Sequence, residues 1–198
     1  MASPNPGVSQ MLKRLTVLVV LSLTVLTARA DYLDAQVWSD YFRIMYGNDS
    51  IGQNAGRLEL GVGYLYSRQN PTSDYLLNFD VGVRGESLDA PVIVSVGGRV
   101  YYGRAGDRDV GGLGIGGSAL YFPQNWNGFG IGGSLYWVPG ILSFRDAEGM
   151  LEYGISGNYQ INSQARVVLG WQNIDTDLDN GGNYTIADGP YLGIHITF

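Results

Sequence analysis

The sequence predicts an all-β protein, a transmembrane antiparallel up-and-down β-barrel of ten strands, with eight as the alternative count. Apolar and polar residues alternate with period two along almost the whole chain after residue 40, which is the pattern of half-buried strands. No apolar run after residue 30 approaches the roughly 18 residues that a spanning helix needs. Thirty glycines oppose helices and fourteen tyrosines favour strands.

Residues 1–30 have the organisation of a secretory signal peptide. Lys13 and Arg14 form a positive region, residues 15–26 form an apolar run, and Ala28-Arg29-Ala30 fits an A-x-A cleavage site. Met11 is a natural start for this segment. We therefore expect cleavage after Ala30 and a single mature domain, the barrel, over residues 31–198.

Composition excludes several classes of function. The formal charge of the chain is −6, and removal of Lys13, Arg14 and Arg29 leaves nine cationic against eighteen acidic side chains, a charge of −9. Such a chain has no basic patch, which argues against nucleic acid as a partner. It has no cysteine, so disulfides, thiolate metal sites and thiol nucleophiles are excluded. No cofactor is expected.

The two faces of each predicted strand differ in a way that favours a membrane barrel over a soluble sandwich. In the third strand, the apolar face is Leu58, Leu60, Val62, Tyr64 and Tyr66, and the opposite face is Arg57, Glu59, Gly61 and Gly63. The apolar faces are continuous and rich in aromatic residues, whereas the polar faces carry charges and glycines. Strands that are apolar outside and polar inside, with aromatic girdles, are typical of transmembrane barrels.

The number of strands depends on the N-terminal end of the barrel. Nine strands are clear, of which the first is Tyr41 to Tyr46, and Leu33 to Trp38 would be the tenth after a turn at Ser39-Asp40. Bacterial barrels usually have an even number of strands. Pro139 to Gly149 and Asn173 to Gly189 read as long polar loops that alternate with short turns, as outer loops alternate with periplasmic turns.

The C-terminus carries a motif of the form G-x-x-Φ-x-Φ, made by Gly193, Ile196 and the terminal Phe198. It looks like the signal by which the barrel-assembly machinery recognises a last strand. The motif, the alternation and the signal peptide together predict a location in the outer membrane of a Gram-negative bacterium. The expected partners are therefore outer-membrane lipid, lipopolysaccharide and the barrel-assembly machinery, while the oligomeric state is not readable.

The mature region resembles the YfaZ-type outer-membrane proteins along essentially its whole length. The most specific stretch runs from Ile186 through Asp188-Gly189-Pro190 to Gly193 and leads into the last strand. The glycine-rich strands are the other resemblance: Gly61, Gly63, Gly111-Gly112, Gly116-Gly117 and Tyr153 through Gly157. The resemblance implies an outer-membrane barrel of uncharacterised function and supplies no catalytic residues.

Charged residues on the polar faces are expected to line the lumen. They are Arg57, Glu59, Asp80, Arg84, Arg99, Glu152 and Arg166. Because buried charge is costly unless paired, the mixed signs suit a network that fills a narrow interior. A porin-like channel for small solutes is the other interpretation, since inward Gly112, Gly114, Gly116, Gly130 and Gly132 remove side chains from one sector.

Two further candidates for chemistry are weak. His195, the only histidine, lies close to the C-terminus, where it is expected to be a polar lumen residue. A lipid- or peptide-modifying barrel enzyme would need a nucleophile beside such a base, and none is visible in the pattern. Asp175, Asp177 and Asp179 could offer oxygens to calcium, but their spacing departs from that of an EF-hand. We therefore favour a structural or channel role without catalysis.

Overall fold

The computed structural model describes residues 32–51, 56–87, 90–179 and 181–198, so the predicted signal peptide lies outside the described residues. The strands are β1 Tyr32–Val37, β2 Tyr41–Ile51, β3 Arg57–Ser67, β4 Asp74–Glu86, β5 Val92–Ala105, β6 Arg108–Tyr121, β7 Phe129–Val138, β8 Ser143–Arg145, β9 Ala147–Gln160, β10 Ala165–Leu178 and β11 Asn183–Thr197. Two 3₁₀ turns, Gln124–Trp126 and Gly140–Leu142, lie in connections. Among the described residues, no helix is long and apolar enough to span a membrane.

Ten of these strands close into an antiparallel barrel. Each strand pairs with its neighbour in the chain, β7 pairs with β9, and β11 returns to β1 with Tyr32 opposite Thr197. The short β8 pairs only with β6 and sits in the connection between β7 and β9. The prediction of ten strands is confirmed, and β1 is the N-terminal strand that the sequence left in doubt.

The two ends of the barrel are named by the chain termini. The terminal end holds Tyr32, Phe198 and the connections 122–128 and 161–164. The distal end holds the connections 38–40, 68–73, 106–107 and 139–146. Connections at the distal end have two to eight residues and those at the terminal end four to seven, so the expected alternation of long and short connections is wrong.

Of the two predicted long loops, Pro139 to Gly149 remains a connection as far as residue 146, after which β9 begins at Ala147. In place of a loop from Asn173 to Gly189, β10 and β11 form a hairpin. The outward side chains in this hairpin include Asp175, Asp177 and Asp188, which are polar. The part of a strand that extends beyond an apolar environment can face water on its outside, so polar residues are allowed on both of its faces. The alternation of apolar and polar residues is then lost from the sequence. The pairing itself continues, with a bulge between Ile174 and Asp175.

The apolar faces point outward, as the alternation predicts. Large apolar side chains around the whole barrel remain more than 40% exposed, for example Val96 at 63%, Ile155 at 69% and Leu169 at 61%. Exposed aromatic residues gather in two girdles. Those near the distal end include Phe42, Tyr102, Trp137, Tyr153 and Trp171, and those near the terminal end include Tyr121, Trp126, Phe129, Tyr159 and Phe198.

Candidate functional site: the lumen of the barrel

Four charged side chains cross the lumen and form what is called here the ionic cluster. They are Arg43 on β2, Asp80 on β4, Arg99 on β5 and Glu152 on β9. Oε1 of Glu152 accepts hydrogen bonds from Arg43 at 2.6 Å and from Arg99 at 2.8 Å. Arg99 also donates to both carboxylate oxygens of Asp80. Arg43 on β2 and Arg99 on β5 both reach Glu152 on β9, which is a separate part of the barrel wall. The cluster therefore spans the interior.

The ionic cluster is balanced in charge, and each of its side chains is hydrogen-bonded to another member. Its two arginines face two carboxylates, and no side chain in it is more than 11% exposed. The hydroxyl of Tyr101 donates to Oε2 of Glu152 at 2.7 Å, and Arg99 lies over the ring of Tyr136 with its Cζ 3.9 Å from the centroid. Charges can be buried at tolerable cost only when they are paired and hydrogen-bonded in this way.

Apolar side chains fill the lumen between the ionic cluster and the distal end, and we call them the apolar plug. Its members are Leu65, Leu76, Tyr101, Ala105, Val110, Tyr136, Val138, Ala147, Met150, Ile174, Leu178, Ile186 and Ala187. All come from the distal halves of their strands and point inward. Tyr101, Val110, Ile174, Ile186 and Ala187 are fully buried, at 0% exposure. The distal part of the barrel is therefore a packed core and not a passage.

The inward glycines do not open a passage through this sector. A Cβ added to Gly112 would lie 2.4 Å from Cγ1 of Val138, and one added to Gly116 would lie 2.1 Å from the carbonyl oxygen of Leu135. Gly114 likewise faces the ring of Tyr101, and Gly130 and Gly132 face side chains of Phe122 and Leu120. The glycines make room for these neighbours. The expectation of a glycine-lined passage is wrong, because packing fills the space that the missing side chains leave.

Side chains patch an interruption in the sheet at the distal end. β1 ends at Val37, which pairs with Leu192, so the distal part of β11 extends past its neighbour on that side. The hydroxyl of Tyr41 donates to the carbonyl oxygens of Gly189 at 3.2 Å and Pro190 at 3.0 Å. Backbone groups that a longer β1 would have paired thus find a side-chain partner.

The β3–β4 connection, residues 68–73, reaches across the same interruption to β11. The amide nitrogen of Asp188 donates to Oε1 of Gln69 at 2.7 Å, and Gln69 donates back to the Asp188 carbonyl. Asn70 donates to the carbonyl of Thr185 at 2.9 Å. Tyr184 of β11 in turn donates to the carboxylate of Asp74 at the start of β4, at 3.0 Å. The connection is thereby tied down at the distal end of the barrel.

A polar cavity of about 190 Å³ lies on the other side of the ionic cluster, toward the terminal end. Glu59, Asp80, Arg84, Arg99, Glu152 and Arg166, six of the seven residues predicted to line the lumen, border it. Ser118 faces inward from β6, borders the cavity and is exposed, so water reaches the cavity from this end. The lumen is therefore open at one end and closed at the other.

Arg57 and the acidic loop candidates lie elsewhere. Arg57 sits at the terminal end of β3, where it is half exposed and 3.5 Å from Glu86, outside the set of residues that border the cavity. Thr185 donates to Asp175, Asn183 to Asp177 and Arg108 to Asp179. Within the described ranges, no group of three or more His, Asp or Glu side chains could hold a metal ion.

His195 faces the cavity as a polar lumen residue, as expected. Its Nδ1 lies 2.8 Å from Oδ1 of Asp34, and its ring stacks on Tyr32 with centroids 5.5 Å apart. Tyr32 donates to Glu59 at 3.0 Å, and Ser95 donates to the other oxygen of Glu59. A chain of polar contacts therefore lines the terminal half of the lumen.

Sequence reasoning missed several residues of this interior. Arg43, Tyr101, Tyr136, Tyr32 and Asp34 were not singled out, although all of them face inward. Arg43 could have been found, because it lies between the outward residues Phe42 and Ile44 in the predicted strand from Tyr41 to Tyr46. The inward aromatic residues give no such signal, because aromatic residues in a transmembrane barrel are expected in the outer girdles.

A closed antiparallel barrel with an apolar outside and a charged interior defines the class of transmembrane β-barrel proteins. Within that class, the chain belongs to the family described as YfaZ precursor, whose model matches residues 11–198. The family resemblance inferred from the sequence is confirmed.

Among solved structures, the chain is similar to the outer membrane channel DcaP of Acinetobacter baumannii. The two are 11% identical with a TM-score of 0.44, over 83% of this chain and 54% of that chain. The chain thus spans about half the length of that channel. No curated protein matches it.

Proposed function

We propose that the protein is an integral barrel of the bacterial outer membrane, with a structural, non-enzymatic role and a lumen that is closed to ions. Its outer surface supports the location. Soluble monomers rarely expose a continuous apolar patch of more than a few hundred Å², whereas this barrel exposes large apolar side chains on every side. Hydrocarbon tolerates such a surface, and the closed sheet leaves no unpaired edge within it.

The terminal end faces the periplasm in this proposal, and the distal end faces the cell exterior. The C-terminal motif supports this orientation, because Phe198 and Ile196 end the last strand at the terminal end. The exposed apolar residue Ile141, 91% exposed in the connection 139–146, then meets outer-leaflet lipid or lipopolysaccharide beside the girdle residue Trp137.

The proposal that the lumen is closed rests on two successive barriers, the ionic cluster and the apolar plug. The ionic cluster bridges the wall, and the apolar plug fills the space between it and the distal end. An ion would have to break buried ion pairs and then cross an apolar layer, both of which are costly. The channel alternative therefore requires that plug residues such as Tyr101 and Val110 move aside.

The enzyme alternative finds partial support in Asp34 and His195, which are paired as an acid and a base would be. A nucleophile beside the second ring nitrogen is needed as well. Among the described residues, Asp34 is the hydrogen-bond partner of His195, and the hydroxyl of Ser95, which also borders the cavity, is directed to Glu59 instead. The non-enzymatic role is the better match to this arrangement.

Planar-bilayer recording tests the closed lumen. Protein purified from outer membranes after expression of the full chain is reconstituted, and its heat-modifiable gel migration verifies that it is folded. We expect a folded protein that gives no reproducible unitary currents.

Unitary currents that change when Arg99 or Arg166 is replaced by Gln, but not when Arg57 is, would contradict the proposal. Such currents would establish a conducting pore and locate its lining, since Arg57 lies outside the cavity. Currents unaffected by all three substitutions would point to leakage around the protein and leave the closed lumen standing.

A further inference from the structure

Arg166 is a charged residue in the terminal half of the lumen that makes no direct ion pair among the described residues. None of the ion pairs among the described residues includes it. Its Nε is buried and has no hydrogen-bond partner. A buried donor without a partner carries a desolvation cost, which is larger when the group is charged. A ligand that supplied oxygens to this guanidinium would remove that cost.

A second arginine faces Arg166 from the opposite wall. Arg166 is the second residue of β10 and Arg84 lies near the end of β4, so both are close to the terminal end. In the closed ring, β4 and β10 are five strands apart in either direction, which places them across the lumen from each other. Both border the cavity, where their charges repel. The terminal half of the lumen thus holds arginines on opposite walls.

The carboxylates of this half of the lumen are already engaged with other donors. Oδ1 of Asp34, which attracts Arg166 electrostatically, is hydrogen-bonded to His195. Glu59 accepts from Tyr32 and Ser95. The acids of this half of the lumen therefore have donors, whereas Nε of Arg166 lacks an acceptor that a ligand in the cavity could supply.

We infer that the terminal half of the lumen is a binding site for a small oxyanion, a phosphate or a carboxylate, held chiefly by Arg166. A planar guanidinium presents paired donors that match the oxygens of either group. The cavity of about 190 Å³ is large enough for such a group and some of its water. The exposed Ser118 marks the side from which the ligand enters. Binding here does not require the lumen to conduct.

The test follows the arginine Nε–H resonances of the ¹⁵N-labelled protein, purified from outer membranes into detergent micelles, during titration with inorganic phosphate and, separately, with acetate. Arg166→Gln identifies the resonance of Arg166 by its disappearance. We expect that resonance to shift and saturate at millimolar anion. We also expect Arg166→Gln to weaken binding, followed on the remaining shifts, by at least about tenfold, as the loss of a charge-assisted hydrogen bond predicts.

Arg57→Gln is the matched control, because Arg57 is a half-exposed arginine at the same end but outside the cavity. It should leave the affinity unchanged. Saturation by phosphate alone, by acetate alone or by both would support the site and tell which oxyanion it takes. If neither anion shifts the Arg166 resonance, or if Arg57 responds to the same degree, the inference is wrong. Should Arg166→Gln fail to fold, Arg166→Lys serves in its place, since it keeps the charge but loses the paired donors and should also weaken binding.

Discussion

Glu152 is the residue that joins the separate walls of the barrel through its side chain. Its carboxylate receives Arg43, Arg99 and Tyr101 within 2.8 Å, from two distant strands. In a buried cluster with equal numbers of positive and negative groups, removal of one charge leaves the remaining charges uncompensated. The interior therefore depends on this carboxylate more than on any single apolar contact of the plug.

Replacement of Glu152 by Gln should lower the free energy of unfolding by about 3–5 kcal/mol, because it leaves two buried arginines opposite one carboxylate. The midpoint of urea unfolding in micelles, read by heat-modifiable gel migration, measures the effect. Glu86→Gln is the control, since Glu86 pairs with Arg57 at 3.5 Å with both side chains about half exposed. It should cost no more than about 1 kcal/mol. Equal effects of the two substitutions would show that the ionic cluster contributes little to stability.

At the scale of the strands, the faces were predictable and the strand ends were not. The alternation of apolar and polar residues correctly predicts which side chains of β3 to β7 point outward. A strand with its two faces exchanged would place charged side chains in an apolar environment. The distal extensions of β10 and β11 escaped prediction, since Asp175, Asp177 and Asp188 carry polar groups on the outer face there. Strand pairing without an apolar face leaves no trace in hydropathy.

The β3–β4 connection offers a prediction at this scale. The double variant Gln69→Ala, Asn70→Ala removes hydrogen bonds to Asp188 and Thr185. Each is worth about 1 kcal/mol, so the amide of Asp188 should exchange with deuterium several-fold to about tenfold faster. Gln124→Ala, Asn125→Ala, a double variant in an exposed turn at the terminal end, should leave that rate unchanged. An unaltered rate in the first variant would mean that β11 is held there by other contacts.

At the scale of the whole molecule, the contents of the lumen could not be predicted. The sequence indicates that Asp80, Arg99 and Glu152 face inward, but their contact depends on how far each strand is displaced along its neighbour around the closed ring. The same displacement brings Val138 and Tyr101 against Gly112 and Gly114. Which inward side chains meet is a property of the barrel and not of any one strand.

The C-terminal motif gives a prediction for the whole molecule in the cell. Phe198 is 64% exposed at the chain end, so Phe198→Ala should change the stability of the folded barrel by less than about 0.5 kcal/mol. If the motif is read by the assembly machinery, the same substitution should reduce the heat-modifiable protein recovered from outer membranes. Ile161→Ala, at a residue 57% exposed at the same end, is the control and should assemble normally. Normal recovery of the Phe198 variant would show that assembly does not depend on the aromatic residue of this motif.

The pairing of β1 with β11 has a consequence for how the barrel forms. Six residue pairs, from Tyr32–Thr197 to Val37–Leu192, join strands that lie about 160 residues apart in the chain. Contacts between such distant segments are slow to form, because a long loop must close before any of them stabilises the product. Until then β1 and β11 are free edges that can pair with other copies of the chain. Closure of this seam is therefore expected to limit the rate of folding and to set the period during which the chain must be kept from aggregating.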